Sequence, residues 1–400
     1  MSTASPEPFP SRGERGKDGF EDARETAHDE AWYSARATPG IQRLRAYDPG
    51  HDLVALRRNF GPDLVELGSN ENPYGPSPAA RAAVLGQLDA LHRYPDPLGA
   101  DLKRTLAATH GVDAKQILLG NGSHELLMQL AQVFAGPGLD VVFSRYGFAV
   151  FALATQSAGA TARVAEALPR TATMPLGHDL DAIADAITQA TRLVYLANPN
   201  NPTGTWFGRA AFAAFMARVP AEVIVVMDEA YAEMADANAD AASALPLLQA
   251  HPNLLLTRTF SKAYGLAGLR VGYLIGAPGL VAVMERIRES FNVNGPALAA
   301  CDAALGDRAH LHSAGESNAE QRATLTEALR ARGLAVLPSQ TNFVLVEFGP
   351  RTAAVEASLV ERGVVLRPMG GYGLPEWLRI TVGSVDDNRR LLAVLDEVLA

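Results

Sequence analysis

Short apolar runs, each bounded by Gly, Asn, Pro or Asp, alternate along this chain with stretches of helical spacing. The runs are Ile117–Leu119, Val141–Phe143, Leu193–Leu196, Val223–Met227 and Leu254–Leu256; Leu126–Phe134 and Ala210–Arg218 have the helical spacing. Runs this short and this continuously apolar suit strands buried on both faces, and strands alternating with helices predict an α/β layer with a largely parallel sheet. Near the end, Leu378–Val382 reads as one more strand. Ser384 and Asp387 then form a capping box ahead of a helix carrying Leu391, Leu392, Leu395, Val398 and Leu399. This end of the chain predicts a second, smaller α+β unit, with its boundary in a long helix near residues 280–305.

The rest of the chain narrows the function classes. A length of 400 residues is about two to three domains' worth of chain. No apolar run reaches the length of a spanning helix, which excludes one. The net charge of −9 disfavours nucleic acid and anionic membrane as partners. The single cysteine, Cys301, excludes a disulfide framework and a cysteine-built zinc site. A cytoplasmic, reduced setting is expected. Residues 1–35 carry eight acids, four bases and few large apolar side chains, and read as a disordered tail. They have no apolar core of a secretory signal and are too acidic for a transit peptide. The histidines show no metal-ligand spacing, so no metal is expected.

Five motifs carry chemistry. Ile117–Leu127 (ILLGNGSHELL) runs from a strand through Gly120, Asn121 and Gly122 to Ser123, which opens a helix; free N–H groups there suit a phosphate. A dinucleotide fingerprint is incomplete, since Glu125 stands where its third glycine belongs. Val223–Met234 (VIVVMDEAYAEM) puts Asp228 and Glu229 at the C-terminal edge of a central strand, where open α/β sheets bind ligands. A nucleotide-hydrolysing reading fails, because the one Gly-Lys pair, Gly16–Lys17, lies in the tail. In Thr259–Tyr273 (TFSKAYGLAGLRVGY), Lys262 sits among hydroxyls, glycines and small apolar residues, surroundings that lower a lysine's pKa and make it a nucleophile toward a carbonyl. Arg270 follows within reach of the same anion. Ala197–Gly204 (ANPNNPTG) makes a rigid turn whose Asn201 amide can face a cleft. In Trp377–Gly383 (WLRITVG), Arg379 lies in an apolar strand and needs a counter-anion, either a substrate carboxylate or an internal partner. Taken singly, each motif also reads as ordinary structure: a cap, a solvated loop, a surface lysine, a turn, a salt bridge.

Their order is more telling than any one of them. From roughly residue 41 to 400 the chain resembles the fold type I, class I/II pyridoxal-phosphate aminotransferases. The segments Ser69–Pro78 (SNENPYGPSP), His92–Pro97 (HRYPDP), Thr341–Val346 (TNFVLV) and Leu366–Gly383 look like the histidinol-phosphate aminotransferase family, which lies close to the aromatic-amino-acid aminotransferases. The resemblance implies a large domain with a mostly parallel seven-stranded sheet over residues 67–285, a smaller α+β domain over 286–400, and an N-terminal arm, 36–66, joining the smaller one. The implied cofactor is pyridoxal 5'-phosphate. Lys262 would hold it covalently and, once freed by substrate, move the proton between the substrate Cα and the cofactor C4′. Asp228 would pair with the pyridine nitrogen, Tyr231 and Asn201 would reach O3′, and Tyr146 would stack on the ring. Gly122, Ser123, His124, Thr259, Ser261 and Arg270 would hold the phosphate. Tyr94 would reach the cofactor phosphate of the neighbouring subunit in a homodimer. Arg379 would grip the substrate carboxylate, while Arg367 and Tyr47 would approach a substrate phosphate.

The implied reaction interconverts histidinol phosphate and imidazole-acetol phosphate, with 2-oxoglutarate as amino acceptor and glutamate as donor. An aromatic aminotransferase is the near rival and a decarboxylase of similar fold a more distant one. A cofactor-sensing regulator is a rival of another class, but the first 40 residues are too short and acidic for a DNA-binding domain. The chain departs from the family pattern at His124, where Asp or Asn is usual, at Ala46, where Pro is usual, and at Phe151, which replaces a frequent Tyr.

Overall fold

The computed structural model describes residues 29–44, 51–236 and 239–400. Its main layer is a seven-stranded sheet built from β1 (Ile117–Gly120), β2 (Asp140–Ser144), β3 (Thr161–Ala165), β4 (Thr191–Ala197), β5 (Ile224–Asp228), β6 (Leu254–Thr259) and β7 (Gly272–Ile275). The spatial order is β1-β7-β6-β5-β4-β2-β3, and β7 alone runs against its neighbours. The expected strands are all present: four are longer than their apolar runs by one to three residues, and the run Val223–Met227 becomes Ile224–Asp228, shifted by one. The added residues at the C-terminal ends of β1, β4, β5 and β6 are polar or small, and they lead directly into the motif loops.

Alternation along the strands divides the sheet into two cores. Leu119, Val194, Leu196, Val225, Met227 and Leu256 face one side, with Phe212 and Phe215 of the helix Arg209–Met216. Leu118, Phe143, Leu193, Tyr195, Val226 and Leu255 face the other, with Leu126, Leu127 and Leu130 of the helix Ser123–Phe134. Both faces are covered, which is why the runs show no polar alternation. Tyr195 is fully buried, stacks on Phe151 at 4.9 Å and donates its hydroxyl to the Leu127 carbonyl at 2.8 Å.

A separate four-stranded antiparallel sheet takes the order β10-β11-β9-β8, from β8 (Ala335–Val336), β9 (Phe343–Glu347), β10 (Arg367–Pro368) and β11 (Trp377–Thr381). Its core joins Leu378 and Ile380 to Leu325 and Leu329 of the helix Arg308–Ala331 and to Leu391, Val394 and Leu395 of the C-terminal helix Val385–Leu399. The capping box forms as expected. Ser384 Oγ accepts from Asp387 N–H at 3.2 Å, and Asp387 accepts from Ser384 N–H at 3.0 Å. Val65–Glu66 pairs in parallel with Val364–Val365 as a separate two-stranded sheet, and Val65 packs into the same core.

Three expectations change. The single long helix near 280–305 is instead two, Pro278–Met284 and Gly295–Gly306. Asn294 caps the second by accepting from Ala297 N–H at 2.9 Å, and Pro296 supplies no N–H to continue a helix from before it. The helix Gly295–Gly306 also packs with the large sheet, not the small one, because Ala297, Ala300, Cys301 and Ala304 belong to the large core; the chain leaves for the smaller layer with Arg308–Ala331. Residues 30–34, assigned to the tail, form a short helix capped by Asp29, whereas residues 1–28 lie outside the described ones. No helix among the described residues is long and apolar enough to cross a membrane.

Removing the C-terminal cap with Ser384→Ala should lower unfolding stability by about 1 kcal/mol. Urea denaturation should show a lower midpoint at an unchanged slope.

Candidate active site

Strands β1, β4, β5 and β6 all point their C-terminal ends to one edge of the large sheet, and the motif loops meet there. They line a cavity of about 750 Å³, closed from the other side by β10, β11 and the segment Gly68–Glu71. Ser123, His124, Asn201, Asp228, Tyr231, Thr259, Ser261, Lys262, Arg270, Arg367 and Arg379 all line it. Residues as far apart in sequence as Ser123 and Arg379 are thereby brought to one place.

One pole of the cavity is built for an anion. Gly122 has a left-handed φ of 83°, and a Cβ there would stand 2.8 Å from Arg270 Nη2. A Cβ on Gly272 would stand 2.3 Å from the Ser123 nitrogen. Both positions therefore require glycine, and their bareness brings the start of the helix Ser123–Phe134 beside the Arg270 guanidinium. Arg270 donates to Ser261 Oγ at 3.4 Å, and Thr259 Oγ1 accepts from Ser261 N–H at 3.1 Å. A helix N-terminus, two hydroxyls and a guanidinium make a phosphate cradle.

The floor holds a carboxylate. Asp228 ends β5, is buried, and accepts from Thr257 Oγ1 of the adjacent strand at 2.9 Å. Burial pushes its carboxyl up to about 7, against the pull of that hydrogen bond. Among the described residues no cation forms an ion pair with it. A group of this kind suits a protonated ring nitrogen.

The wall holds an amine. Lys262 Nζ donates to the carbonyls of Asn70 at 3.0 Å and Ser69 at 3.4 Å. Burial lowers its pKa to about 8, with Arg379 adding to the effect. A lysine whose pKa is lowered this far has a sizeable neutral fraction near physiological pH, and the neutral amine is both a nucleophile and a base.

Two donors face the interior. Arg379 is buried, donates from Nη1 to Asn201 Oδ1 at 2.7 Å and from Nη2 to the Gly68 carbonyl at 2.9 Å. A guanidinium only donates, so the amide oxygen of Asn201 must be the atom facing it, which leaves the NH2 group on the cavity side. Tyr231 is buried, and burial pushes its hydroxyl up to about 12, so it stays protonated and able to donate. Arg367 stands directly across from Arg379 in the β10–β11 register. Like charges opposite one another on a sheet repel, and an anion between them removes that penalty.

Two expected residues are placed elsewhere, and a third is not among the described ones. Tyr146 does not line the cavity; it packs with Tyr372 against Leu345, Met369 and Trp377, and Phe148, two residues on, takes the cavity wall. Tyr94 lies on the outer surface, 83% exposed and stacked on Phe291 at 4.6 Å. Tyr47 falls outside the described residues. Sequence reasoning also missed Asn70 and Thr257. Asn70 sits inside SNENP, a motif quoted for resemblance and given no role, while Thr257 carried no signal beyond being polar in an apolar strand.

Comparison with known proteins follows the same lines. A family model described as aminotransferase class I and II matches residues 62–395. The protein named histidinol-phosphate aminotransferase 2 of Pseudomonas aeruginosa is 46% identical over 371 residues, spanning 92% of this chain and 99% of that protein. Histidinol-phosphate aminotransferase 1 of Cupriavidus pinatubonensis is 46% identical over 90% of this chain and 95% of its own length. Among solved structures, histidinol-phosphate aminotransferase from Sinorhizobium meliloti in complex with pyridoxal-5'-phosphate superposes with a TM-score of 0.82 at 32% identity, covering 91% of this chain and 98% of that one. An aspartate aminotransferase of Thermus thermophilus has a TM-score of 0.78 at 22% identity, over 90% of this chain and 99% of its own, which is a likeness of fold.

In cofactor-free protein, Lys262 should acylate with a midpoint near pH 8, well below the ordinary lysine value of 10.5. Its amine is neutral above that midpoint, so labelling followed by mass spectrometry should rise steeply between about pH 7 and 9.

Proposed function

Because the chain belongs to the class I and II aminotransferases, we propose that it exchanges the amino group between L-histidinol phosphate and 2-oxoglutarate, giving imidazole-acetol phosphate and L-glutamate, with pyridoxal 5'-phosphate as cofactor. The observation that carries the substrate is the Arg367–Arg379 pair, set across one strand register on the wall of the cavity that holds Lys262 and Asp228. Two guanidiniums side by side fit a phosphate dianion better than an apolar side chain. The 46% identity to proteins named for this reaction points the same way.

The site fits the cofactor at three points. The bare positions at Gly122 and Gly272 leave room for a phosphate against Ser123, His124 and Arg270. Asp228 is a buried carboxylate that favours a cationic neighbour. Lys262 is a buried amine on the same cavity. When bound, pyridoxal phosphate supplies a carbonyl for the amine and a ring that withdraws electrons from the substrate carbon.

The chain's own residues then divide the work. Backbone N–H groups at Ser123 and His124, with Thr259, Ser261 and Arg270, hold the phosphate. Asp228 holds a proton on the ring nitrogen. Asn201 and Tyr231 donate to the ring oxygen. Lys262 Nζ would be the base that takes the proton from the substrate carbon bearing nitrogen and holds it for return. Arg379 binds the α-carboxylate of glutamate, and Arg367 takes the phosphate of the alternative substrate. Tyr47 joins Arg367 in the same reading.

The reading includes a homodimer in the cytoplasm, with residues 67–285 as the cofactor-binding unit. Leu85, Leu88, Leu91, Tyr94 and Leu98 are all exposed and lie within 14 residues of one another along the chain. A monomer gains nothing from presenting so many large apolar groups together, and a second copy would cover them. Tyr94 would then reach the cofactor phosphate of the other subunit, as the stacking on Phe291 holds it pointing outward.

The test is a half-reaction titration of the purified holoenzyme with histidinol phosphate, glutamate and phenylalanine, following the visible band of the bound cofactor as it converts to the amine form. Strong conversion by histidinol phosphate and weak conversion by phenylalanine is expected; the reverse order would move the enzyme to aromatic substrates. Lys262→Ala should abolish transamination. Arg367→Ala should weaken histidinol phosphate by roughly a hundredfold, the scale of a lost charge-assisted hydrogen bond, and leave phenylalanine nearly unchanged.

A further inference from the structure

Asn70 makes five hydrogen bonds at the cavity, and none of the chemistry above uses its side chain. It is 2% exposed and has a left-handed φ of 55°. Its N–H donates to Thr381 Oγ1 at 2.9 Å, and Thr381 Oγ1 donates back to Asn70 Oδ1 at 3.3 Å. Its carbonyl accepts from Lys262 Nζ and from Asn342 Nδ2, each at 3.0 Å. Its Nδ2 donates to the Tyr231 hydroxyl at 3.0 Å. The amide orientation follows from this arrangement. Thr381 is buried, and with the amide reversed its hydroxyl hydrogen would lose the acceptor it has here.

We propose that Asn70 is a positioning residue that aims the Tyr231 hydroxyl. An amide NH2 is only a donor, so the Tyr231 oxygen must accept from it. The hydroxyl hydrogen cannot then point at Asn70 and turns toward the cavity, where the ring oxygen of the cofactor binds. The same residue, through its carbonyl, sets where the free Lys262 amine rests. One side chain and one carbonyl thus align the base and the ring-oxygen donor together. Asparagine fits the position because it tolerates the left-handed backbone, which a β-branched or bulky residue would not. This proposal rests on the cofactor assignment made above, and not on the identity of the amino donor.

The experiment is a pH titration of the visible band of bound cofactor, without substrate, for wild type, Asn70→Gly, Asn70→Asp, Tyr231→Phe and the double variant Asn70→Gly/Tyr231→Phe. Glycine keeps the backbone conformation and removes the donor. Aspartate keeps the shape and accepts from Tyr231, diverting its hydrogen away from the cavity. The charged groups facing Tyr231 are Arg379, Asp228 and Lys262, with Tyr372 beyond them; Asn70→Asp adds a carboxylate to this set, so its shift is read against that of Asn70→Gly, which adds no charge. A weaker donor at the ring oxygen should raise the midpoint by roughly one pH unit, the scale of one neutral hydrogen bond, in both Asn70 variants. In the Tyr231→Phe background the Asn70→Gly shift should vanish, because the two residues act as one unit. Equal shifts in both backgrounds, or no shift in either single variant, would overturn the proposal. No turnover is needed, so a wild type that prefers phenylalanine would end the histidinol-phosphate reading and leave this result to stand by itself.

Discussion

The buried carboxylate of Asp228 is the constraint around which the site is arranged. It stands at the end of β5, a middle strand with both faces covered, and its carboxylate accepts from the Thr257 hydroxyl and the Ala230 N–H but, among the described residues, pairs with no cation. Water would solvate such a group at no cost; the protein interior cannot. The fold tolerates it because the sheet's C-terminal edge opens onto a cavity, so the missing partner can come from a bound molecule. That molecule must carry a positive charge at one end. The phosphate cradle at Ser123 and Arg270 demands a negative charge at the other. A ring with a protonated nitrogen and a phosphate arm would satisfy both ends.

The second layer matters because the floor and the far wall belong to different sheets. Arg379, on β11, crosses to Asn201 after β4, and Asn342, before β9, crosses to the carbonyls of Asn70 and Glu71. Behind the cavity, Arg322 of the helix Arg308–Ala331 donates to the Met234 carbonyl and to Asp236, both just beyond Tyr231. These are directional bonds in buried surroundings, where a broken partner is costly. They fix the small sheet against the large one at the depth of the cavity, so Arg379 keeps its distance from Lys262.

Most of the large sheet was legible because burial on both faces leaves an unmistakable imprint. Val223–Met227 and Leu193–Leu196 have no polar residue to disguise them, and each is followed at once by its functional loop. Asp228 stands where an apolar run ends, while Asn201 and Lys262 lie in the polar loops that follow such runs within about six residues. The break between Met284 and Gly295 was not, since the apolar residues on either side keep helical spacing and only Asn294 and Pro296 interrupt it. The resemblance places Tyr146 on the ring, yet its side chain packs with the apolar cluster around Trp377. Asn70 could not be found by pattern at all. Its importance comes from four partners at sequence separations of about 160 to 310 residues, which only the fold brings together.

Direction is what those long-range partners add beyond position. A hydroxyl or an amide can face a ligand in either sense, and placing it on the cavity wall does not choose. Here the choice is made by groups that can only donate. The Arg379 guanidinium takes the Asn201 oxygen and leaves its NH2 for the ligand. The Asn70 NH2 takes the Tyr231 oxygen and leaves its hydrogen for the ligand. Both choices give a donor, and both donors come from residues flanking Asp228, one after β4 and one just past β5. The interior is thus set to bind an anionic oxygen next to a cationic ring nitrogen before any ligand arrives. Such preorganisation stabilises developing charge without reorienting dipoles during the reaction. It also explains why residues that never touch the substrate, on two different sheets, have to be held so firmly.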